Sequence, residues 1–215
     1  MSRQATLLNF YKAMQDALGP SSWWPGDTPF EVCLGAILTQ NTNWSNVEKA
    51  LARLKDRNLL DPEKIFCLDL PTLSELIKPA GSFRVKGQRI LNFLSFLKDS
   101  VDFRLDLLAK QPLDELRTNL LTVKGIGPET ADSMLLYAFY KPSFVVDSYT
   151  ARICNRHSLT PEDIDYHELR SFFMDVLPRD VELYNEYHAL LVRTGKKWCL
   201  KREGKCRTCP LQPFS

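Results

Sequence analysis

Leu120-Leu121-Thr122-Val123-Lys124-Gly125-Ile126-Gly127-Pro128-Glu129-Thr130-Ala131 reads as the end of one helix, a tight Gly-Ile-Gly turn and the start of a second helix. The two glycines let the backbone turn sharply and lie close to a ligand, while Ile126 between them can plug the space between the helices. Amides of the turn and of the second helix's first residues point outward at the positive end of a helix dipole, an arrangement that holds a phosphate without reading a base. A glycine-rich helical corner would show the same letters, so the residues that follow carry the distinction. Eighteen residues past Glu129, the run Val145-Val146-Asp147-Ser148-Tyr149 sets an acid at the mouth of the next helix. Asp is among the best N-caps, and a capping carboxylate is also fixed and ionised.

Around this centre the pattern is helical nearly everywhere. Leu7, Leu8, Phe10, Tyr11, Met14 and Leu18 form one apolar stripe that Gly19-Pro20 ends. Thr28-Pro29 opens a second helix, with Glu31 placed as in a capping box. Further helices are expected at Asn46–Arg57, Asp61–Leu68, Pro71–Lys78, Val85–Val101, Leu105–Lys110, Leu113–Leu120, Glu129–Tyr140, Ser148–Arg156, Tyr166–Leu177 and Val181–Lys196. Phe144-Val145-Val146 is β-branched but too short and isolated to found a sheet. The expected class is all-α, without repeats or low-complexity linkers.

Composition sets the outer bounds. With 215 residues, 44% hydrophobic and 25% charged, the chain has the make-up of a globular protein able to bury its own core. Apolar runs such as Leu135–Tyr140 fall far short of a bilayer span, and no secretion signal precedes the first stripe, so a cytoplasmic protein without a membrane partner is expected. The net charge of +2 is uneven. Residues 193–215 carry seven Lys/Arg against Glu203, or +6, leaving −4 for residues 1–192. Concentrated positive charge beside a near-neutral body is the footprint of a phosphate-binding surface, though a solvated tail reads alike.

Cysteines divide in the same way. Cys33, Cys67 and Cys154 are scattered among apolar neighbours and read as small buried hydrophobes. Cys199, Cys206 and Cys209 crowd into the basic end, spaced C-x6-C-x2-C. In a chain without a secretion signal such clustering favours a metal or iron–sulfur site over disulfides.

The run from Leu120 to Arg156 resembles the helix-hairpin-helix DNA glycosylases of the endonuclease III superfamily, whose order is hairpin, helix, short extended segment and catalytic Asp. The likeness extends over most of the chain: Leu38-Thr39-Gln40-Asn41-Thr42 resembles that family's Gln-bearing loop, Gly81–Lys86 its mid-domain turn, and Cys199 onward its cluster loop. Ser22-Trp23-Trp24-Pro25, together with Trp44 after Gln40-Asn41-Thr42-Asn43, is similar to the 3-methyladenine DNA glycosylase III branch. The resemblance implies that residues 1–27 and 142–198 form a domain of paired terminal helices, that 28–141 form a six-helix barrel with the hairpin at 113–140, and that 199–215 form the cluster loop. Double-stranded DNA containing a damaged base would cross the cleft between the domains of a monomeric enzyme.

The same resemblance implies roles. Asp147 would be the catalytic carboxylate beside the sugar, Gln40 would fill the gap left by an extruded base, and Lys124, Gly125, Ile126 and Gly127 would grip phosphate. Lys201, Arg202, Lys205 and Arg207 would face DNA from the cluster loop. Relatives that also cut the backbone carry a lysine two residues past the second hairpin glycine; here that residue is Glu129, and a carboxylate cannot form an imine with an abasic sugar. The resemblance therefore implies a monofunctional glycosylase that uses water. Glu129 either lines the base pocket or complements the dipole of its helix. Trp23, Trp24, Pro25 and Trp44 would make an aromatic pocket for a cationic alkylated purine, with one of Trp23 and Trp24 sealing the domain junction instead. A pyrimidine or mismatch glycosylase and a non-catalytic DNA-binding protein are the alternatives. In the family, four cysteines spaced C-x6-C-x2-C-x5-C hold a [4Fe–4S] cluster; Cys199, Cys206 and Cys209 match, and Ser215 stands fourth. Three outcomes are open: ligation by Ser215, a three-cysteine iron or zinc site, or a loop held by packing alone; three ligand positions at family spacing within the basic loop favour the iron–sulfur cluster.

Overall fold

The computed structural model of the chain describes residues 2–21 and 26–214. Among these it is all-helical, with no strand. Its principal helices are α1 (Arg3–Leu18), α2 (Pro29–Leu38), α3 (Trp44–Lys55), α4 (Pro62–Phe66), α5 (Leu70–Leu76), α6 (Phe83–Val101), α7 (Leu105–Lys110), α8 (Leu113–Thr122), α9 (Pro128–Ser133), α10 (Ser148–Arg156), α11 (Tyr166–Met174) and α12 (Val181–Lys197). Packing groups the chain into two compact units, Trp24–Lys141 and Met1–Trp23 with Pro142–Ser215.

Most helix starts follow from local side-chain chemistry. Thr28 Oγ1 accepts from Glu31 N at 3.1 Å, and Glu31 Oε2 reaches back to accept from Asp27 N, so the expected capping box closes one residue earlier than its usual form. Asn43, Asp61, Asp69, Asp147, Asp165 and Asp180 each cap the helix that follows. The Asn43 cap draws α3 forward to Trp44, two residues before the expected start. One helix departs further. The segment expected to run unbroken from Glu129 to Tyr140 leaves α geometry after Ser133 and widens into a π-type turn over Met134–Ala138, every residue of which is buried. Tertiary packing of that apolar run outweighs the regular ladder.

In the Trp24–Lys141 unit, α2 is buried on nearly all sides: Val32, Cys33, Leu34, Ile37 and Leu38 expose 3% or less. Such a helix presents its last carbonyls to the interior, where they need a donor. Lys86 supplies it: its buried Nζ donates to Leu38 O at 2.9 Å and to Ala80 O at 2.7 Å. Burial lowers the Lys86 pKa, while the two carbonyls accept two of its three protons. In the other unit, Phe144 stacks on Phe173 at 4.3 Å and meets Tyr184 and Tyr187 edge-on. Tyr187 Oη donates to Leu7 O at 2.7 Å, tying α12 to α1. Phe144-Val145-Val146 is thus a buried extended connector leading to Asp147. Cys33 and Cys154 are buried as expected, but Cys67 is exposed, since it caps the short α4 at the surface.

Candidate active site

Asp147 ends the extended connector and opens α10. Its Oδ1 accepts three hydrogen bonds, from Tyr149 N at 2.9 Å, Thr150 N at 2.8 Å and Thr150 Oγ1 at 3.0 Å. Oδ2 takes no part in the cap and lies 3.7 Å from His188 Nε2 of α12. The two side chains retain only 13% and 11% of their exposure. Burial by itself pushes the Asp147 carboxyl up, but His188 and the Thr150 donors outweigh it and hold the group below its ordinary value. The result is an anion with one oxygen locked into the backbone and the other left outside the cap.

The hairpin belongs to the other unit and is braced from several directions. Ile126, expected as the plug, is 5% exposed. Arg117 of α8 forks onto the fully buried Asp132 of α9, Nε to Oδ1 at 2.9 Å and Nη2 to Oδ2 at 3.0 Å, which locks the helices on either side of the turn. Gly125 sits at φ 99°, where a Cβ would run into Arg89. Asn92 Nδ2 donates to Lys124 O at 2.9 Å, and the Lys124 side chain is exposed.

Gln40 stands against this turn. Its Nε2 donates to Gly125 O at 3.2 Å and to Thr130 Oγ1 at 2.8 Å, and its Oε1 accepts from Arg89 Nη1. In this structure Gln40 is a brace for the hairpin, and it reaches a gap in a duplex only by giving up those three bonds. Its neighbour Asn41 is exposed at φ 55°. Trp44 begins α3, half-buried, and Glu129 is exposed in the first turn of α9. Trp23, Trp24, Pro25 and Ser215 lie outside the described residues.

Residues 199–214 fold as a loop with two short 3₁₀ turns, Cys206–Thr208 and Gln212–Phe214. Cys199, Cys206 and Cys209 line one cavity with Arg156, His157 and Trp198. Arg156 Nη1 donates to Cys199 Sγ at 3.4 Å and to Leu200 O at 2.8 Å, and its Nη2 donates to Lys201 O at 3.2 Å. Arg152, one turn earlier on α10, holds Cys199 O through Nε at 2.8 Å. Burial pushes the Cys209 thiol up, a backbone bond from Leu211 partly offsets it, and the nearness of Cys199 and Cys206 adds smaller rises. Among the described residues no three His, Cys, Asp or Glu side chains gather as a site for a metal ion. A [4Fe–4S] cluster makes a different demand, since each iron takes its own thiolate and the sulfurs need not meet at a point. The three thiols around one cavity would supply three of the four ligands such a cluster takes, and the fourth position, Ser215, lies outside the described residues. Lys201, Arg202, Lys205 and Arg207 are all exposed on this loop.

A family model described as HhH-GPD superfamily base excision DNA repair protein matches residues 34–179, a span that includes the hairpin, Asp147 and α10. The chain belongs to the HhH-GPD superfamily. Its HhH-GPD relatives include the "Putative DNA repair glycosylase MJ1434" of Methanocaldococcus jannaschii, 43% identical over 97% of this chain and 94% of that one. Endonuclease III of Thermotoga maritima is 29% identical over 86% and 81%. Among solved HhH-GPD structures, the 3-methyladenine DNA glycosylase of H. pylori bound to 1,N6-ethenoadenine superposes with a TM-score of 0.76 at 27% identity, over 92% of this chain and 98% of that one. Endonuclease III trapped as a covalent intermediate with DNA gives a TM-score of 0.84 over 100% and 95%, and at 22% identity it speaks for the fold alone. As an HhH-GPD protein the chain is a DNA glycosylase of base excision repair.

The sequence pointed to Asp147 and the hairpin, but not to His188, Arg89 or Arg156. His188 had a signal: with Tyr184, Tyr187 and Leu191 it continues the buried i, i+3, i+4, i+7 face of α12, where a titratable ring stands out. Arg152 and Arg156, spaced i, i+4 on α10, had one as well. Arg89 had none, because its partner is set by the meeting of α6 with the hairpin.

Proposed function

We propose that this chain is a monofunctional DNA glycosylase that hydrolyses the N-glycosidic bond of alkylated purines of the 3-methyladenine type in double-stranded DNA and leaves an abasic site. The observation that carries the reading is Asp147, an ionised carboxylate immobilised through Oδ1 with Oδ2 left outside the cap. A glycosylase must rotate its nucleotide out of the stack before reaching the bond. The C1′–N bond then breaks with both electrons going to the base, and C1′ gains oxocarbenium character. A fixed anion beside that cation lowers the barrier by several kcal/mol, about 3 kcal/mol for a single well-placed group. Water adds to C1′ and gives one proton to Oδ2. An N3- or N7-alkylated purine is cationic before cleavage and leaves as a neutral base, so it needs little help from a general acid.

Two features support the finer parts of the reading. Glu129 occupies the hairpin position where a lyase would need an amine, which argues for water as the nucleophile. Trp44 opens the helix after the Gln40 loop, and an aromatic face favours a desolvated cation by up to ~2 kcal/mol. The likeness to the H. pylori enzyme, whose bound ligand is an alkylated adenine, points the same way. Duplex DNA would be held by the hairpin and by Lys201, Arg202, Lys205 and Arg207. We further propose that Cys199, Cys206 and Cys209 hold an iron–sulfur cluster of the [4Fe–4S] type. Such a cluster would shape the basic loop, which Arg152 and Arg156 already fasten to α10.

The test is to incubate the protein with duplex DNA treated with a simple methylating agent and identify the free bases released. Release of 3-methyladenine or 7-methylguanine, with no borohydride-trapped protein–DNA adduct, is the expected result. Release of uracil or thymine alone from mismatched duplexes would replace the alkylpurine reading, and a trapped adduct would overturn the monofunctional one. Anaerobically purified protein should absorb broadly near 400 nm, on the order of what iron–sulfur proteins show, and contain iron and sulfide; colourless, iron-free protein would remove the cluster.

A further inference from the structure

The two oxygens of Asp147 are in different surroundings. Oδ1 receives three donors at 2.8–3.0 Å, all from the first turn of α10, and together they fix the carboxylate's position. The carboxylate is a rigid plane, so rotation about the Cβ–Cγ bond moves both oxygens together, and a contact at Oδ2 opposes the same rotation that the cap donors oppose at Oδ1. On the open side stands the His188 imidazole, its Nε2 3.7 Å from Oδ2. That separation is longer than a hydrogen bond and too short to admit a water between the atoms.

The ring that provides this contact is held from its own side. Tyr184 and Tyr187, the neighbours of His188 on the buried face of α12, are fully enclosed, and Tyr187 is tied to the α1 backbone through its hydroxyl. Two turns further along the same face, Gly195 lets Tyr149 lie against α12 without a Cβ in the way, so α10 and α12 approach closely beside the Asp147 cap. His188 is therefore part of a rigid wall and not a mobile surface ring.

We propose that His188 is a positioning residue for the glycosylase reaction: its Nε2 edge sets the orientation of Oδ2, the one Asp147 oxygen that the helix cap leaves for chemistry. The inference rests on the assignment of Asp147 as the catalytic carboxylate. His188 acts through Asp147 and touches neither sugar nor base. A carboxylate oxygen displaced by about 1 Å can lose on the order of 10²-fold in rate, so the wall behind Oδ2 matters to turnover even though the cap alone holds α10 in place.

The experiment compares wild type with His188→Leu, His188→Phe and His188→Gln, using single-turnover base release on the duplex that wild type processes and equilibrium binding to an abasic-site duplex. Leucine and phenylalanine remove the nitrogen edge, while glutamine places a polar nitrogen at similar reach. The expected result is a fall in the single-turnover rate of roughly tenfold to a hundredfold for Leu and Phe, with unchanged abasic-site affinity and KM, and recovery to within about threefold for Gln. Should Leu fail to fold, Phe keeps the ring volume and gives the same readout. Equal rates in wild type and the folded apolar variants overturn the inference. So does a loss of affinity that matches the loss of rate, because that marks a purely architectural role. A wild type inert on alkylated, uracil-containing and mismatched duplexes alike overturns the assignment of Asp147 itself, which the variant comparison does not touch.

Discussion

Asp147 combines a structural and a chemical task, and one substitution separates them. In Asp147→Asn the side-chain oxygen can accept the same three donors, and Asn is as good an N-cap as Asp, so α10 should form with little loss of stability. The group that changes is the outer atom facing His188, where an amide replaces the anion. Base release should fall by at least about 10²-fold, with abasic-duplex affinity kept or improved, measured by free-base release and by anisotropy. Turnover equal to wild type would remove Asp147 from the mechanism. The same exchange has a signature in pH. Because the folded Asp147 carboxyl titrates below its ordinary value, its ionised form adds stability above the unfolded carboxylate pKa near 4, and that stability is lost as pH falls through the lower folded value. Denaturant melts between pH 6 and 2, a range on the order of that window, should show a shallower acid decline for Asp147→Asn.

At the scale of the element, one of the braces on the hairpin is the Arg117–Asp132 fork. Asp132 is fully buried and Arg117 keeps 15% exposure, so the pair has little solvent to screen it. A buried ion pair adds little over an apolar pair of the same shape, but removing one partner strands the other charge. Arg117→Met should therefore destabilise the chain by about 3–5 kcal/mol, while the double variant Arg117→Met with Asp132→Leu should recover a large share of that loss. Urea unfolding of the three proteins checks both statements. The Gln40 brace acts on the same element from outside. Gln40→Ala frees Gly125 O, Thr130 Oγ1 and Arg89 at once, and should weaken binding to undamaged duplex along with damaged duplex if its main work is to hold the hairpin. A loss confined to damaged duplex would point instead to insertion into the gap.

For the whole molecule, charge is the property that matters most outside the site. The last 23 residues carry +6 while the rest carry −4, and the basic side chains of the loop are exposed. Binding driven by such a patch releases counterions, so log K should fall linearly with log salt by about 0.9 for each phosphate neutralised. Replacing Lys201, Arg202, Lys205 and Arg207 by Ala should flatten that slope by about 0.9 for each phosphate left without its cation, with the single-turnover rate on saturated DNA staying close to wild type. A salt series of anisotropy titrations measures it, and an unaltered slope would mean that the loop faces solvent instead of DNA. No described helix is long and apolar enough to cross a membrane.

Much of this protein is written in short-range chemistry. Caps at Thr28, Asp61 and Asp147, the glycine turn and the amphipathic stripes act over three or four residues, so the all-helical class, the hairpin and the placement of the carboxylate could be read from the chain alone. The aromatic, glutamine and cysteine motifs suggested a chemistry, but no local rule says what each touches. Packing decided that the apolar run 134–138 leaves the α ladder, that Cys67 faces solvent, and that Gln40 is spent on the hairpin. It also decided that His188 meets Oδ2 and that Arg156 meets Cys199. These pairings join residues far apart in sequence, and their geometry exists only once helices pack, because a side chain's partner across a helix interface depends on crossing angle and rotation that no single helix encodes.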